Sequence, residues 1–139
     1  MVQLIVGNKG KGKTKQLLER VNTEIKSASG NMVYLDKSSK HMYELNNKVR
    51  LIDVSTYPLR NSNEFIGFVY GIISQDHDLE AMYLDSFLKI ACLEGQDVTD
   101  TLEQLKKIGD LFHITFTISI SLEEKDIPES MKECIVVSL

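Results

Sequence analysis

Short apolar runs alternate along the chain with segments whose apolar residues recur at helical spacing. Six runs are candidate strands, at residues 2–6, 32–35, 49–54, 81–84, 112–120 and 134–137. Several of them are almost continuously apolar, which is typical of parallel strands that helices cover on both faces. The alternation therefore predicts an α/β fold, with a mostly parallel sheet as the middle of three layers.

The predicted helices lie between these runs. Three segments place apolar side chains on one stripe of a helix: residues 13–27, a segment that runs from a cap at Ser62 or Asn63 to about Ser74, and residues 99–111. Shorter turns are expected at 41–45 and 128–132. The run 112–120 differs from the others because threonine and serine alternate with isoleucine and phenylalanine. We expect this strand either to have one more polar face or to lie nearer a sheet edge.

Composition narrows the classes of function. The 139 residues fit a single domain, 1–139, with a globular profile of 42% hydrophobic and 26% charged residues. The net charge of −4 gives no general attraction to nucleic acid, so nucleic acid is not an expected partner. We find no secretory leader and no apolar run near the ~20 residues of a membrane span, and we expect a cytoplasmic location without membrane contact. Cys92 and Cys134 are expected to be buried, reduced thiols.

One segment carries a specific chemical signal. Residues 7–14 fit the pattern G-x-x-x-x-G-K-[ST] without a mismatch, between a predicted strand and a predicted helix; they are Gly7, Asn8, Lys9, Gly10, Lys11, Gly12, Lys13 and Thr14. Glycines allow the tight turn that points backbone N–H groups at phosphate oxygens, and the following helix adds its positive end. Lys13 is expected to reach the β- and γ-phosphates, and the Thr14 hydroxyl to coordinate Mg²⁺. The pattern predicts a nucleoside triphosphate, ATP or GTP, as ligand.

A phosphate loop of this kind needs a carboxylate near the metal ion, at the end of a neighbouring strand. Asp85 and Asp36 each end a hydrophobic run, whereas Asp53 lies inside one and is less well placed. We favour Asp85 as the metal-linked carboxylate and keep Asp36 as the alternative.

The order of these elements resembles the RecA-like, additional-strand core of the P-loop NTPases, and a thymidine-kinase-like core is a less favoured match. The resemblance covers most of the chain as a pattern, but only the phosphate loop is specific. The Asp85-Ser86 pair is similar to the RecA-type end of the metal-site strand, which again implies Asp85. Ser119 or Ser121 would then stand where such proteins place a polar sensor of the γ-phosphate.

The chain departs from that pattern at the catalytic carboxylate. RecA-like proteins place a water-activating glutamate near the end of the second strand, but this chain has Asp36 there and no glutamate before Glu44. No glutamate follows Asp85 either, because Ser86 occupies that position. Asp36 is therefore the candidate base, beside Lys13 as the other catalytic residue, and unaided hydrolysis is expected to be slow.

Three functions fit these features. The first is a slow, Mg²⁺-dependent NTPase that acts as a regulatory or motor-like subunit. The second is a small phosphotransferase similar to a nucleoside kinase, and the third is an interaction domain that binds nucleotide without hydrolysis. RecA-like cores commonly hold nucleotide between subunits, so a second copy or another protein is an expected partner.

The remaining polar residues have simpler interpretations. His41, His77 and His113 are expected to be surface or packing residues. Arg60 follows a strand in a loop, where an arginine finger and a solvated arginine are the alternatives, and the second is favoured.

Overall fold

The computed structural model describes residues 1–139, which form six strands and four α-helices. The strands are β1 (Val2–Val6), β2 (Asn31–Asp36), β3 (Arg50–Asp53), β4 (Leu79–Leu84), β5 (Thr115–Ile120) and β6 (Ile135–Ser138). The helices are α1 (Lys13–Glu24), α2 (Ser62–Ser74), α3 (Phe87–Ile90) and α4 (Thr99–Phe112). Short 3₁₀ turns, among them Met42–Glu44 and Val54–Thr56, connect them. None of the helices is both long enough and apolar enough to cross a membrane.

All six strands are parallel and form one sheet in the order β3-β2-β4-β5-β1-β6. Strand β5 therefore lies between β1 and β4, in the interior of the sheet, and the expected edge position of the run 112–120 is wrong. Its polar side chains are buried and hydrogen-bonded instead: Thr117 Oγ1 donates to Gln3 Oε1 at 3.2 Å, and Ser119 bonds to Asp85. The strand also starts later than predicted, because helix α4 continues through Phe112 and ends at His113, whose φ is 58°.

The sheet separates two hydrophobic cores, which makes the predicted three layers. On one face, α2, α3 and α4 pack on alternate strand residues such as Leu4, Val6 and Leu84. On the other face, α1 packs on the residues between them, such as Ile5, Tyr34 and Tyr83. Burial on both faces accounts for the almost continuous apolar runs.

Two local expectations need correction. Helix α2 is capped by Asn61, whose side chain accepts a hydrogen bond from the Glu64 N–H at 2.9 Å, and not by Ser62 or Asn63. Cys134 is buried, as expected, but Cys92 is only half-buried; both thiols are free.

The parallel arrangement brings the carboxyl ends of the strands to one edge of the sheet. In open α/β sheets, ligands bind outside this edge, where neighbouring strands lead into connections on opposite faces. The loop after β1 and the residues that end β2, β4 and β5 meet there, so the candidate site lies at that edge.

Candidate nucleotide-phosphate site

The loop between β1 and α1 depends on its glycines. Gly7, Gly10 and Gly12 have φ values of 147°, 86° and 93°, which L side chains rarely adopt. Gly7 also passes close to another backbone segment, because a Cβ atom there would lie 2.9 Å from the Leu139 carbonyl oxygen. The chain can therefore turn directly from the buried strand into the first residue of α1.

Lys13 is the first residue of α1 and is 7% exposed. Its Nζ donates a hydrogen bond to the Asn8 carbonyl oxygen at 3.0 Å, and no carboxylate lies within salt-bridge distance. Burial lowers the pKa of Lys13, and the charge of Asp85 opposes that shift. A buried ammonium at a helix N-terminus without a carboxylate partner is suited to an anionic ligand.

Asp85, directly after β4, is buried among four hydrogen-bond donors. Its Oδ1 accepts from Thr14 Oγ1 at 3.2 Å, from Ser119 Oγ at 2.6 Å and from the Ser86 N–H at 2.9 Å. Its Oδ2 accepts from the Tyr34 hydroxyl at 2.7 Å. Three strands and the first turn of α1 thus fix the orientation of one carboxylate. This arrangement places Asp85 beside Thr14, and their use as a shared metal site stays a prediction.

Asp36 ends β2 and lies next to Asp85, because the pairing of Leu35 with Leu84 brings the two strand ends together. Asp36 is 2% exposed, and its Oδ1 accepts from the Lys37 N–H at 2.7 Å. Its Oδ2 is buried without a hydrogen-bond partner. Burial raises the pKa of Asp36, and the neighbouring charge of Asp85 raises it further. A buried acceptor with a raised pKa has the properties of a general base.

Asp53, the third carboxylate considered from the sequence, has a different environment. Its Oδ1 accepts from the Ser55 N–H and hydroxyl, at 3.0 and 2.6 Å, and caps the 3₁₀ turn Val54–Thr56. Arg60 lies on the surface, where it pairs with Glu64 at 3.0 Å and its side chain is 82% exposed. Neither residue lines the cavity described next.

A cavity of about 440 Å³ lies over these groups. From the loop and strand ends it includes Lys9, Gly10, Gly12, Lys13, Thr14, Asp36, Asp85, Ser119 and Ser121. The surrounding segments add Ser86, which follows Asp85, and residues that the sequence pattern did not indicate, namely Lys37, Ser38, Lys40, His41, Leu88, Lys89 and Glu94. Five lysines face three carboxylates, an excess of two positive charges (5 − 3) that favours a polyanion.

Three residues of the predicted phosphate loop do not line this cavity: Gly7, Asn8 and Lys11. The Asn8 side chain is exposed and donates to Glu123 Oε1 at 2.7 Å, so only its carbonyl oxygen turns inward, toward Lys13. A contact across 115 residues leaves no local signal in the sequence. The roles assigned to these three residues remain predictions.

The oxygen donors at the site fit a magnesium ion. Mg²⁺ prefers hard oxygen ligands and usually keeps several waters, with one or two protein groups and substrate phosphates completing the shell. The Thr14 hydroxyl and the Asp85 carboxylate, hydrogen-bonded to each other, provide such a pair. No group of three or more His, Cys, Asp or Glu side chains could bind a metal ion by itself.

No protein-family model and no curated protein matches the sequence. Among solved structures, the chain is similar to the flagellar accessory protein FlaH from Methanocaldococcus jannaschii, with a TM-score of 0.59 and 15% sequence identity. The match covers 93% of this chain and 63% of the FlaH chain, so the chain spans less than two thirds of FlaH. At this identity the likeness concerns the fold alone, and it supports the predicted α/β fold with a parallel sheet.

Proposed function

We propose that the chain binds ATP or GTP together with Mg²⁺ through residues 7–14, and that it hydrolyses the bound nucleotide slowly. One observation carries the proposal: the buried Lys13 ammonium and the Thr14–Asp85 pair face the same lysine-rich cavity at the start of α1. A triphosphate is the ligand class that uses a cation, a helix N-terminus and a metal-linked carboxylate together.

Binding uses groups that are already in place. The backbone of the loop and the N-terminus of α1 donate to the phosphate oxygens, and Lys13 adds a point charge. Lys13 exchanges its present bond to the Asn8 carbonyl oxygen for phosphate oxygens. The glycines permit the loop conformation that directs these N–H groups toward the phosphate.

Thr14 and Asp85 would hold the metal ion, which neutralises charge on the β- and γ-phosphates when it is bound. Tyr34 and Ser119 keep the Asp85 carboxylate in one orientation. The Ser119 hydroxyl donates its only proton to Asp85, so Ser121, which lines the cavity without this bond, is the freer of the two candidate γ-phosphate sensors.

In hydrolysis, Asp36 Oδ2 accepts a hydrogen bond from the attacking water, and this oxygen has no other partner. An aspartate is one methylene shorter than the glutamate of the RecA-like pattern. A displacement of about 1 Å can reduce the rate on the order of a hundredfold. Slow turnover suits a regulatory or motor-like subunit better than a metabolic enzyme.

Two other functions each have one supporting observation. A groove of about 820 Å³ between α1 and residues 41–46 shares Thr14 and His41 with the phosphate cavity, and it has room for a phosphoryl acceptor. The absence of a glutamate directly after β2 and β4 supports a domain that binds nucleotide without hydrolysis. In that case a protein partner distinguishes the nucleotide-bound chain from the nucleotide-free chain, in line with the description of FlaH as an accessory protein.

Isothermal titration with ATP and with GTP, in Mg²⁺ and in EDTA, tests the binding proposal. Phosphate release and transfer of labelled phosphate then separate the three functions. We expect saturable, Mg²⁺-strengthened binding with slow release; binding without any release favours the interaction domain, and labelled product other than phosphate favours the transferase. No binding of either nucleotide at millimolar concentration would overturn the proposal.

A further inference from the structure

The segment that follows β2 holds a histidine in a fixed orientation. His41 Nδ1 is hydrogen-bonded to Glu44 Oε2, within the turn that contains Met42–Glu44. A carboxylate only accepts, so Nδ1 carries the proton and Nε2 remains available to a second partner. Glu44 thus orients the imidazole in the way that a carboxylate orients a functional histidine.

The same segment is tied to helix α1. Asn22 Nδ2 donates to the Glu44 carbonyl oxygen at 2.8 Å, and Asn22 Oδ1 accepts from the Asn46 N–H at 2.8 Å. These two bonds hold the turn that carries His41 against the helix that begins the phosphate site. The position of His41 is therefore determined by the fold rather than by a flexible loop.

His41 lies where the phosphate cavity meets the groove beside α1. It lines the 440 Å³ cavity and also the 820 Å³ groove, and Thr14 is the one other residue that both share. Its charge acts on Asp36, where it opposes the rise in the pKa of that carboxyl. Thr14 and Asp85 would hold a metal ion that neutralises charge on the γ-phosphate, so a residue that lines the cavity with Thr14 and acts on Asp36 is expected near that phosphate.

We propose that His41, oriented by Glu44, donates a hydrogen bond from Nε2 to the γ-phosphate and thereby distinguishes a nucleoside triphosphate from a diphosphate. This inference rests on the proposed nucleotide site and adds a residue that the sequence pattern does not mark. The bond requires a proton on each ring nitrogen, one directed at Glu44 and one at the phosphate. The charged groups that line the groove beside His41 are Lys15, Glu19, Lys26 and Glu44, and those of the cavity include Asp36, Lys37 and Lys40.

The test measures the affinities of Mg²⁺–ADP and of the Mg²⁺ complex of a non-hydrolysable imido analogue of ATP. Loss of one charge-assisted hydrogen bond lowers affinity by about tenfold or more. His41→Ala should therefore lower the affinity for the analogue by at least about tenfold and leave the affinity for ADP unchanged. His41→Gln, which retains an N–H donor, should recover part of the loss. His77→Ala, in the turn before β4, is the matched control and should change neither affinity.

Each other outcome counts against the inference. Equal weakening of both ligands in His41→Ala and His41→Gln would assign His41 a structural role, and unchanged affinities would exclude the contact. If His41→Ala does not fold, the test depends on His41→Gln alone. That variant must still lower the affinity for the analogue relative to the affinity for ADP. Wild type that binds ADP but shows no preference for the analogue contradicts this inference only. Wild type that binds neither overturns the nucleotide site as well.

Discussion

The Tyr34 hydroxyl donates a 2.7 Å hydrogen bond to Asp85 Oδ2, and both residues are buried. Burial raises the pKa of Tyr34 well above its ordinary range, and Asp85 adds to the shift, so the hydroxyl stays a donor at any working pH. A tyrosine of β2 therefore holds the carboxylate that follows β4. In the proposed site, this bond would couple the stability of the fold to metal binding.

Replacing Tyr34 by phenylalanine should lower both the stability of the fold and the effect of Mg²⁺ on nucleotide binding. Asp85 Oδ2 would be left buried without a partner, and bonds to charged groups contribute about 1.5–3 kcal/mol. We expect the free energy of unfolding in urea to fall by about that amount, and Mg²⁺ to strengthen nucleotide binding less. Tyr43→Phe is the control, because Tyr43 is 92% exposed and its loss of the hydroxyl should change neither. Equal stability of the two variants would show that the Tyr34 bond contributes little.

The carboxylate that serves the metal ion can be identified by paired substitutions. Asp85→Asn should reduce the effect of Mg²⁺ on nucleotide affinity more than Asp36→Asn does, because only Asp85 is bonded to Thr14. Titrations in Mg²⁺ and in EDTA give this difference for each variant. The opposite order would move the metal site to the end of β2.

Turnover by the purified protein should be far below the ~10 per second of a typical enzyme. Asp36→Ala should lower the remaining rate, measured as phosphate release, while nucleotide affinity changes little. The reason is that Asp36 is the proposed base, and its unpartnered Oδ2 makes no bond to the predicted phosphate loop. Rapid hydrolysis that Asp36→Ala leaves unchanged would show that another group orients the water.

Asp36 should also make the stability of the ligand-free protein depend on pH. Its pKa is raised in the folded state, so the folded protein loses stability as pH rises from the ordinary aspartate value of about 3.9 through the raised value. Asp36→Asn, which cannot ionise, should therefore be more stable than wild type at pH 8. The advantage should shrink at pH 5. Urea unfolding at both pH values measures it, and a variant less stable at pH 8 would contradict the assigned charge state.

The fold follows from local signals to a large extent. The apolar runs identify all six strands, because helices cover both faces of the sheet and leave little room for polar residues. For β5 two alternatives were open, one more polar face or a position nearer a sheet edge, and the edge position is wrong. Thr117 and Ser119 are buried in the interior of the sheet, where Gln3 and Asp85 from the neighbouring strands bond to them. Such pairing depends on strand order, which periodicity does not contain.

Part of the candidate site could likewise be predicted from the sequence, and part depends on tertiary structure. Residues 7–14 are adjacent in sequence, so their pattern is visible before any fold is known. In the sequence, Tyr34 cannot be told from other strand residues, because its contact depends on β2 lying beside β4. The only local signal at His41 is its spacing from Glu44. Their contacts with the site arise from tertiary structure, and sequence reasoning missed both residues for that reason.

The central claim is that residues 7–14 bind a nucleoside triphosphate, and the shift in melting temperature with Mg²⁺–ATP or Mg²⁺–GTP tests it most directly. Binding to the folded state alone raises the melting temperature, and at a hundred times Kd it adds about 2.7 kcal/mol. Lys13→Ala should abolish the shift and keep the fold. Lys26→Ala should keep the shift, because Lys26 is an exposed lysine about 20 Å along the same helical segment. We expect a shift in wild type and Lys26→Ala only; no shift in wild type, or an equal shift in Lys13→Ala, would contradict triphosphate binding by residues 7–14.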